Sequence, residues 1–319
     1  MSVSNAQNKI GKSGKDGYFQ KLWKTFCRQK FLHMLILPGV IYFIIFKYMP
    51  MYGVQIAFKD YNIRLGITGS EWVGWYHFNR FFTHPHCWRV IRNTFTLNVY
   101  LLLFSFPSSV LLALILNEVK RPIFKKVVQT ISYLPNFISV AAVCGMMTMM
   151  LSPTSGMVNQ ILKSFGMEPI YFLVEPKWYR TIFVLSDIWK NCGFGAIIYL
   201  ASLSSVPMEL YEAADMDGAT RIQKIRHVSI PFIAPTIIIM LIFQVGRIMN
   251  LGQEKSLLLQ TPSTYEVSDI ISTYVYRRGL AEADYSFGAA VGLFNSLVNV
   301  VFVLTVNYLA GKFSETSLF

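Results

Sequence analysis

The chain is short of charge, and its charge is lopsided. Only 14% of its 319 residues are Asp, Glu, Lys or Arg, where globular domains run near about 25%. That is too few to coat a soluble surface of this size. Acidic residues are the scarcer kind, 17 against 29 Lys and Arg, so the net charge is +12. Cysteine is sparse too. Cys27, Cys87, Cys144 and Cys192 match no zinc, redox or disulfide spacing. Cys144 and Cys192 sit in apolar runs, where cysteine acts as a small hydrophobe. Catalytic signatures are missing: there is no His-Glu-x-x-His, no Gly-x-Ser-x-Gly and no paired-carboxylate constellation. No metal site and no enzymatic centre are expected. The nearest approach to a P-loop is Gly11-Lys12-Ser13, but Ala6 stands where the leading Gly is needed and no strand precedes it. The chain is expected to bind no cofactor and to hydrolyse no ATP.

What is present is apolar, 53% of the chain, gathered in long runs. Six read as membrane spans: about 31–51, 94–116, 127–151, 181–206, 232–251 and 286–310. Each exceeds the roughly 17 residues a helix needs to cross about 30 Å of hydrocarbon. Lipid offers no hydrogen-bond partners, so the fold class is all-α and polytopic. Pro38, Pro107, Pro135 and Pro235 lie inside spans. Each is either a kinked packing site or a bend around a pathway. The first run leads into Lys47-Tyr48-Met49-Pro50 without a small-residue cleavage site, so it reads as a retained anchor.

Basic residues set the orientation. With the N-terminus inside, the inner segments hold 15 Lys and Arg in 74 positions and the outer ones 11 in 105. That density bias follows the positive-inside rule. It places a basic tail (1–30), a transmembrane domain (31–311) and a short tail (312–319), with both termini in the cytoplasm of a multi-pass cell-membrane protein. The basic N-terminal flank, seven of the first thirty residues, suits an anionic lipid surface, and no nucleic-acid partner is expected. The first outer loop is rich in aromatics (Trp72, Trp75, Tyr76, Phe78, Phe81, Phe82, Trp88). Such residues suit an interfacial belt or a docking surface for an outside partner.

The inner segment 207–231 is the most specific. Glu212-Ala213-Ala214, three residues, Gly218, nine residues, then Val228-Ser229-Ile230-Pro231 reads as a helix, a turn and a second helix. Ser205 is a candidate cap, Pro207 fits a first turn, and Glu209 and Glu212 favour the positive end of the dipole. Gly218 can take a positive φ, and Pro231 is expected to restart the chain as span five. This pattern resembles the cytoplasmic loop of binding-protein-dependent ABC permeases. Asn93-Thr94, Tyr133-Leu134-Pro135 with Ser139, Gly156 with Asn159, and Trp189 extend the likeness over most of the chain. Tyr48–Asp60, Asp269–Tyr276 and Tyr285–Phe294 resemble the polysaccharide and oligosaccharide branch found in Gram-positive bacteria, and the maltose-importer membrane subunit is a more distant relative.

The resemblance implies a type I importer permease with six spans that carries oligosaccharides. It implies a second homologous permease subunit, two ATPase subunits that hold ATP and Mg, and an extracellular solute-binding lipoprotein. It implies ATPase coupling through Glu212, Ala213, Ala214, Asp217, Gly218 and Ala219. Aligned on Trp189, Glu212 and Pro231, it puts Asp187, Lys190, Asn191, Phe194, Gln244 and Arg247 at cargo-contact positions, with Asn250 on the same face as Gln244 and Arg247. Independently, ionisable residues within spans are costly and usually face a bundle interior or a cavity. The bland alternative is an Asp187–Lys190 or Asp187–Arg247 pair that only holds helices together. Arg247 further points to cargo that carries carboxylates, as uronate oligosaccharides do. Rival readings are an importer of a non-sugar solute, an ion-coupled secondary transporter, for which no internal repeat is seen, and a membrane sensor or scaffold.

Overall fold

The structure, a computed structural model, describes residues 29–246 and 252–313. The basic tail with Cys27, the residues Arg247 and Asn250, and the C-terminal stretch from 314 lie outside the described residues. The first unit ends at Gln55 and the second begins at Ile56.

Among the described residues, five helices are long and apolar enough to cross a membrane: α1 (Lys30–Phe58), α3 (Cys87–Asn117), α7 (Pro176–Ser204), α9 (Arg221–Val245) and α12 (Tyr285–Phe313). A sixth crossing is possible only as a bent pair, α4 (Pro122–Phe137) and α5 (Val140–Met150). Between them lie β1 (Lys59–Asp60) and β2 (Glu71–Trp72), paired antiparallel, then α2 (Tyr76–Phe82) and α6 (Met157–Ser164). Later come α8 (Met208–Met216), α10 (Gln253–Leu259) and α11 (Ile271–Val275), which runs on as a π turn to Ala281.

Three prolines share a recurring device, while Pro38 and Pro235 lie inside regular helix. π turns at Ile44–Tyr48, Leu101–Ser105 and Ile225–Ser229 are each followed two residues later by a proline: Pro50, Pro107 and Pro231. A proline lacks the N–H that its preceding turn needs, and the wider turn takes up the register slip. Pro231 therefore does not restart the chain. Span five begins ten residues earlier, at Arg221, because the π turn carries the helix through.

Span three differs most from expectation. An unbroken helix over 127–151 is not formed; α4 and α5 meet at 100°. Leu134–Phe137 tightens to a 3-10 turn around Pro135, Ile138 is extended, and Ser139 starts α5 afresh by accepting from the Ala142 N–H at 3.2 Å. A proline followed by a good N-cap ends one helix and opens another.

Segments expected to lie outside the membrane form a packed head within the second unit. Phe81, Tyr274, Phe287, Val291 and Ile271 share one apolar cluster, and Ala57, Phe78 and Ala290 another. Asp269, fully buried, accepts from Arg277 at 2.7 Å, Arg89 at 3.3 Å and the Thr273 hydroxyl at 2.9 Å. The Tyr61 N–H donates to Ser286 Oγ at 2.8 Å. The loop aromatics thus divide. Phe78 and Phe81 are core, while Trp72, Trp75, Tyr76, Phe82 and Trp88 are exposed.

Candidate functional site

The break between α4 and α5 opens a cavity of about 540 Å³ against α7 and α10. Val140, Val143 and Cys144 wall it from α5, Ser186, Asp187, Lys190 and Asn191 from α7, and Gln253, Glu254, Lys255 and Leu257 from α10. Tyr276 adds an aromatic face. Asp187, Lys190 and Asn191 share one side of α7 because three and four residues make about one helical turn.

Their partners are specific. Lys190 Nζ donates to the Ile138 carbonyl at 2.6 Å and the Asn136 carbonyl at 2.8 Å. These acceptors are freed by the helix break, and the ammonium satisfies them. Asp187 accepts from Ser105 Oγ at 2.5 Å and from Asn191 Nδ2 at 2.9 Å. Asn136 Nδ2 in turn donates to Asn191 Oδ1 at 3.2 Å. Asp187 and Lys190 do not form an ion pair among the described residues. In place of an Asp187–Lys190 pair stand two networks that meet at Asn136, because the broken backbone is the nearer claimant on the ammonium; the Asp187–Arg247 alternative involves a residue outside the described ones.

Lys255 was not anticipated. Gly252, at φ +77°, lets α10 close onto α7; a Cβ there would sit 2.5 Å from Phe183 Cζ. The Lys255 side chain is 8% exposed. Its Nζ donates to the Phe183 carbonyl at 2.5 Å and lies 4.4 Å from the centre of the Phe183 ring. Burial lowers its pKa to about 8. The sequence signal was faint: a Gln-Glu-Lys triplet behind a glycine reads as an ordinary polar loop.

The remaining expected residues are dispersed. Phe194 lies a turn beyond Asn191, is exposed, and stands edge-on to Phe137 at 6.1 Å. It does not line the cavity, and Tyr276 supplies the aromatic face instead. Gln244 on α9 is half-buried and also away from the cavity. Arg247 and Asn250 fall outside the described residues.

The 207–231 hinge is locally well specified. Ser205 does not cap α8; its hydroxyl donates back to the Ser202 carbonyl at 2.8 Å, and Pro207 holds the cap position with extended ψ. Gly218, at φ +72°, ends α8, and the Ala219 N–H reaches the Ala214 carbonyl at 2.9 Å. Thr220 and Gln223 then form a reciprocal capping box. Lys224 bridges back to Asp215 at 2.7 Å, and the Tyr211 hydroxyl meets Ser229 Oγ at 2.9 Å. Glu212, Ala213, Asp217 and Gly218 are exposed, with Ala214 and Ala219 partly so. Met208, Met216 and Ile222 are also exposed, at 68%, 88% and 77%. The hinge thus combines well-specified turns with uncovered apolar side chains.

Residues 90–315 match the family model described as binding-protein-dependent transport system inner membrane component. The chain belongs to this family. It is an ABC transporter permease with the type I importer fold. Among curated relatives, Protein LplB of Bacillus subtilis (strain 168) is 43% identical, over 92% of this chain and 92% of its own length. The polygalacturonan/rhamnogalacturonan transport system permease protein YteP of the same organism is also 43% identical, over 92% and 91%. Among solved structures, a chain of a bacterial alginate ABC transporter, crystallised in complex with alginate pentasaccharide-bound periplasmic protein, superposes with a TM-score of 0.87. It is 43% identical, with 93% of this chain and 100% of that one covered. Family membership removes the ion-coupled and sensor readings.

Proposed function

We propose that this permease imports acidic oligosaccharides, handed over by an external binding lipoprotein and driven by ATP hydrolysed on separate subunits. The similarity to YteP and to the alginate transporter chain, along nearly the whole length, carries this reading. The cavity supports it: amide, ammonium and carboxylate groups beside a tyrosine ring offer what sugar hydroxyls and ring faces require. Asp187, Lys190 and Asn191 bound the pathway, with the first two held in place by their own networks. A second permease completes the pathway. Glu212 to Ala219 form the plug that enters a cleft on one of two ATPase subunits, on the cytoplasmic side where both termini also lie. The chain itself is non-catalytic.

The test is uptake by the complete transporter in proteoliposomes. Trigalacturonate should accumulate only with ATP and the binding protein, and maltotriose should not. Glu212→Lys, a charge reversal on an exposed side chain, should leave expression intact and abolish binding-protein-stimulated ATP hydrolysis. Equal uptake of both sugars would sink the cargo class, and normal stimulation in the variant would sink the coupling role.

A further inference from the structure

We propose that the Lys255 ammonium is the seat for a cargo carboxylate: a uronate unit in the cavity between α7 and α10 rests its carboxylate on the uncommitted N–H groups of Lys255. The inference rests on the reading of this chain as a permease for acidic oligosaccharides, and names the group that reads the acid.

An ammonium carries three N–H groups. At Lys255 one goes to the Phe183 carbonyl; no other acceptor is found for it among the described residues. It forms no ion pair there either. The other charged groups of the cavity are differently placed. Lys190 is taken up by the carbonyls of the helix break, Asp187 by Ser105 and Asn191, and Glu254 is solvent-exposed. A cation buried this deeply is costly unless an anion meets it. The cavity leaves room for that anion, and the Phe183 ring face alone is a weak substitute. A neutral sugar gains nothing from the ammonium, whereas a uronate gains a charge-assisted hydrogen bond in a partly dry site. Tyr276 lines the same cavity and offers a surface for the sugar ring.

The groups that face Lys255 are Asp187 and Lys190 on α7, Cys144 on α5 and Glu254 on its own helix. Desolvation lowers its pKa to about 8, with Asp187 and Cys144 pulling up and Lys190 pulling down. The seat is charged below that pH and lost above it.

The experiment uses the complete transporter in proteoliposomes with trigalacturonate as probe. Near neutral pH, K255Q should lower uptake by about tenfold at equal membrane yield, the worth of one charge-assisted contact. K255R should retain uptake to within about threefold, because it keeps the charge. Wild-type uptake should decline as the pH rises above about 8, and the K255R profile should be flat over that range. Wild-type behaviour in K255Q overturns the seat and leaves the cargo class standing. Equal loss in both variants with an unshifted pH profile assigns Lys255 to packing and also overturns it. No trigalacturonate uptake by wild type overturns both readings.

Discussion

Gly218 offers the sharpest test of the hinge, since its role separates into backbone and surface terms. Its φ of +72° lies where an L side chain is strained, and a Cβ there would meet nothing within 4 Å. Replacing it therefore costs torsion alone, with no clash. For a non-glycine residue the left-handed conformation costs about 1–2 kcal/mol, least for Asn and most for a β-branched side chain. The turn is held against that strain by the Ala219 N–H to the Ala214 carbonyl at 2.9 Å and the Gly218 N–H to the Asp215 carbonyl at 3.1 Å. Gly218→Ala should then reduce the correctly turned hinge by about fivefold, and Gly218→Val by about thirtyfold or more, at about 1.4 kcal/mol per tenfold. Gly218→Asn should stay near wild type. The assay is binding-protein-stimulated ATP hydrolysis by the assembled transporter in nanodiscs, normalised to membrane yield. The expected ranking is Gly and Asn above Ala, and Ala above Val. Full stimulation in Gly218→Val would refute the hinge as a conformational element. Equal loss in Asn and Val would place the constraint in the ATPase contact instead of the backbone.

Two further predictions concern stability. Lys190→Met removes an ammonium that satisfies two carbonyls at the helix break. Water in the adjacent cavity replaces part of this, so the loss should be about 2–4 kcal/mol, read as a lower Tm in detergent; an unchanged Tm would mean that the break is held by other contacts. Asp269→Asn leaves Arg89 and Arg277 facing a neutral amide. Breaking one side of a buried pair costs about 3–5 kcal/mol, and discounting for guanidiniums that are 26% and 28% exposed gives about 2–3 kcal/mol. Limited proteolysis of the head should accelerate accordingly, and unchanged cleavage would rule out Asp269 as its keystone.

The three segments that resemble the oligosaccharide branch acquire a physical role. Asp269 ties Arg89 to Arg277, Ser286 receives the Tyr61 N–H, and Ala57 packs on Ala290. Within the second unit their residues are mainly scaffold of the head, and of these described residues Tyr276 lines the cavity. The likeness to that branch is thus carried largely by packing residues.

The sequence by itself determined what depends on local chemistry. Apolar runs of spanning length, the positive-inside bias and the Glu212–Gly218 spacing are properties of consecutive residues, and they sufficed for an all-α membrane permease with an exposed hinge. Helical periodicity was enough to put Asp187, Lys190 and Asn191 on one face of α7. Tertiary structure decided which groups those residues meet. Whether Pro135 kinks a span or breaks it depends on Lys190 being close enough to donate to the freed carbonyls, fifty-odd positions away in the chain. Whether Lys255 is a loop charge or a buried ammonium depends on Gly252 admitting Phe183. Contacts between residues far apart in sequence leave no periodic mark along it, so the wall of the cavity that α10 builds could be seen only once the chain was folded.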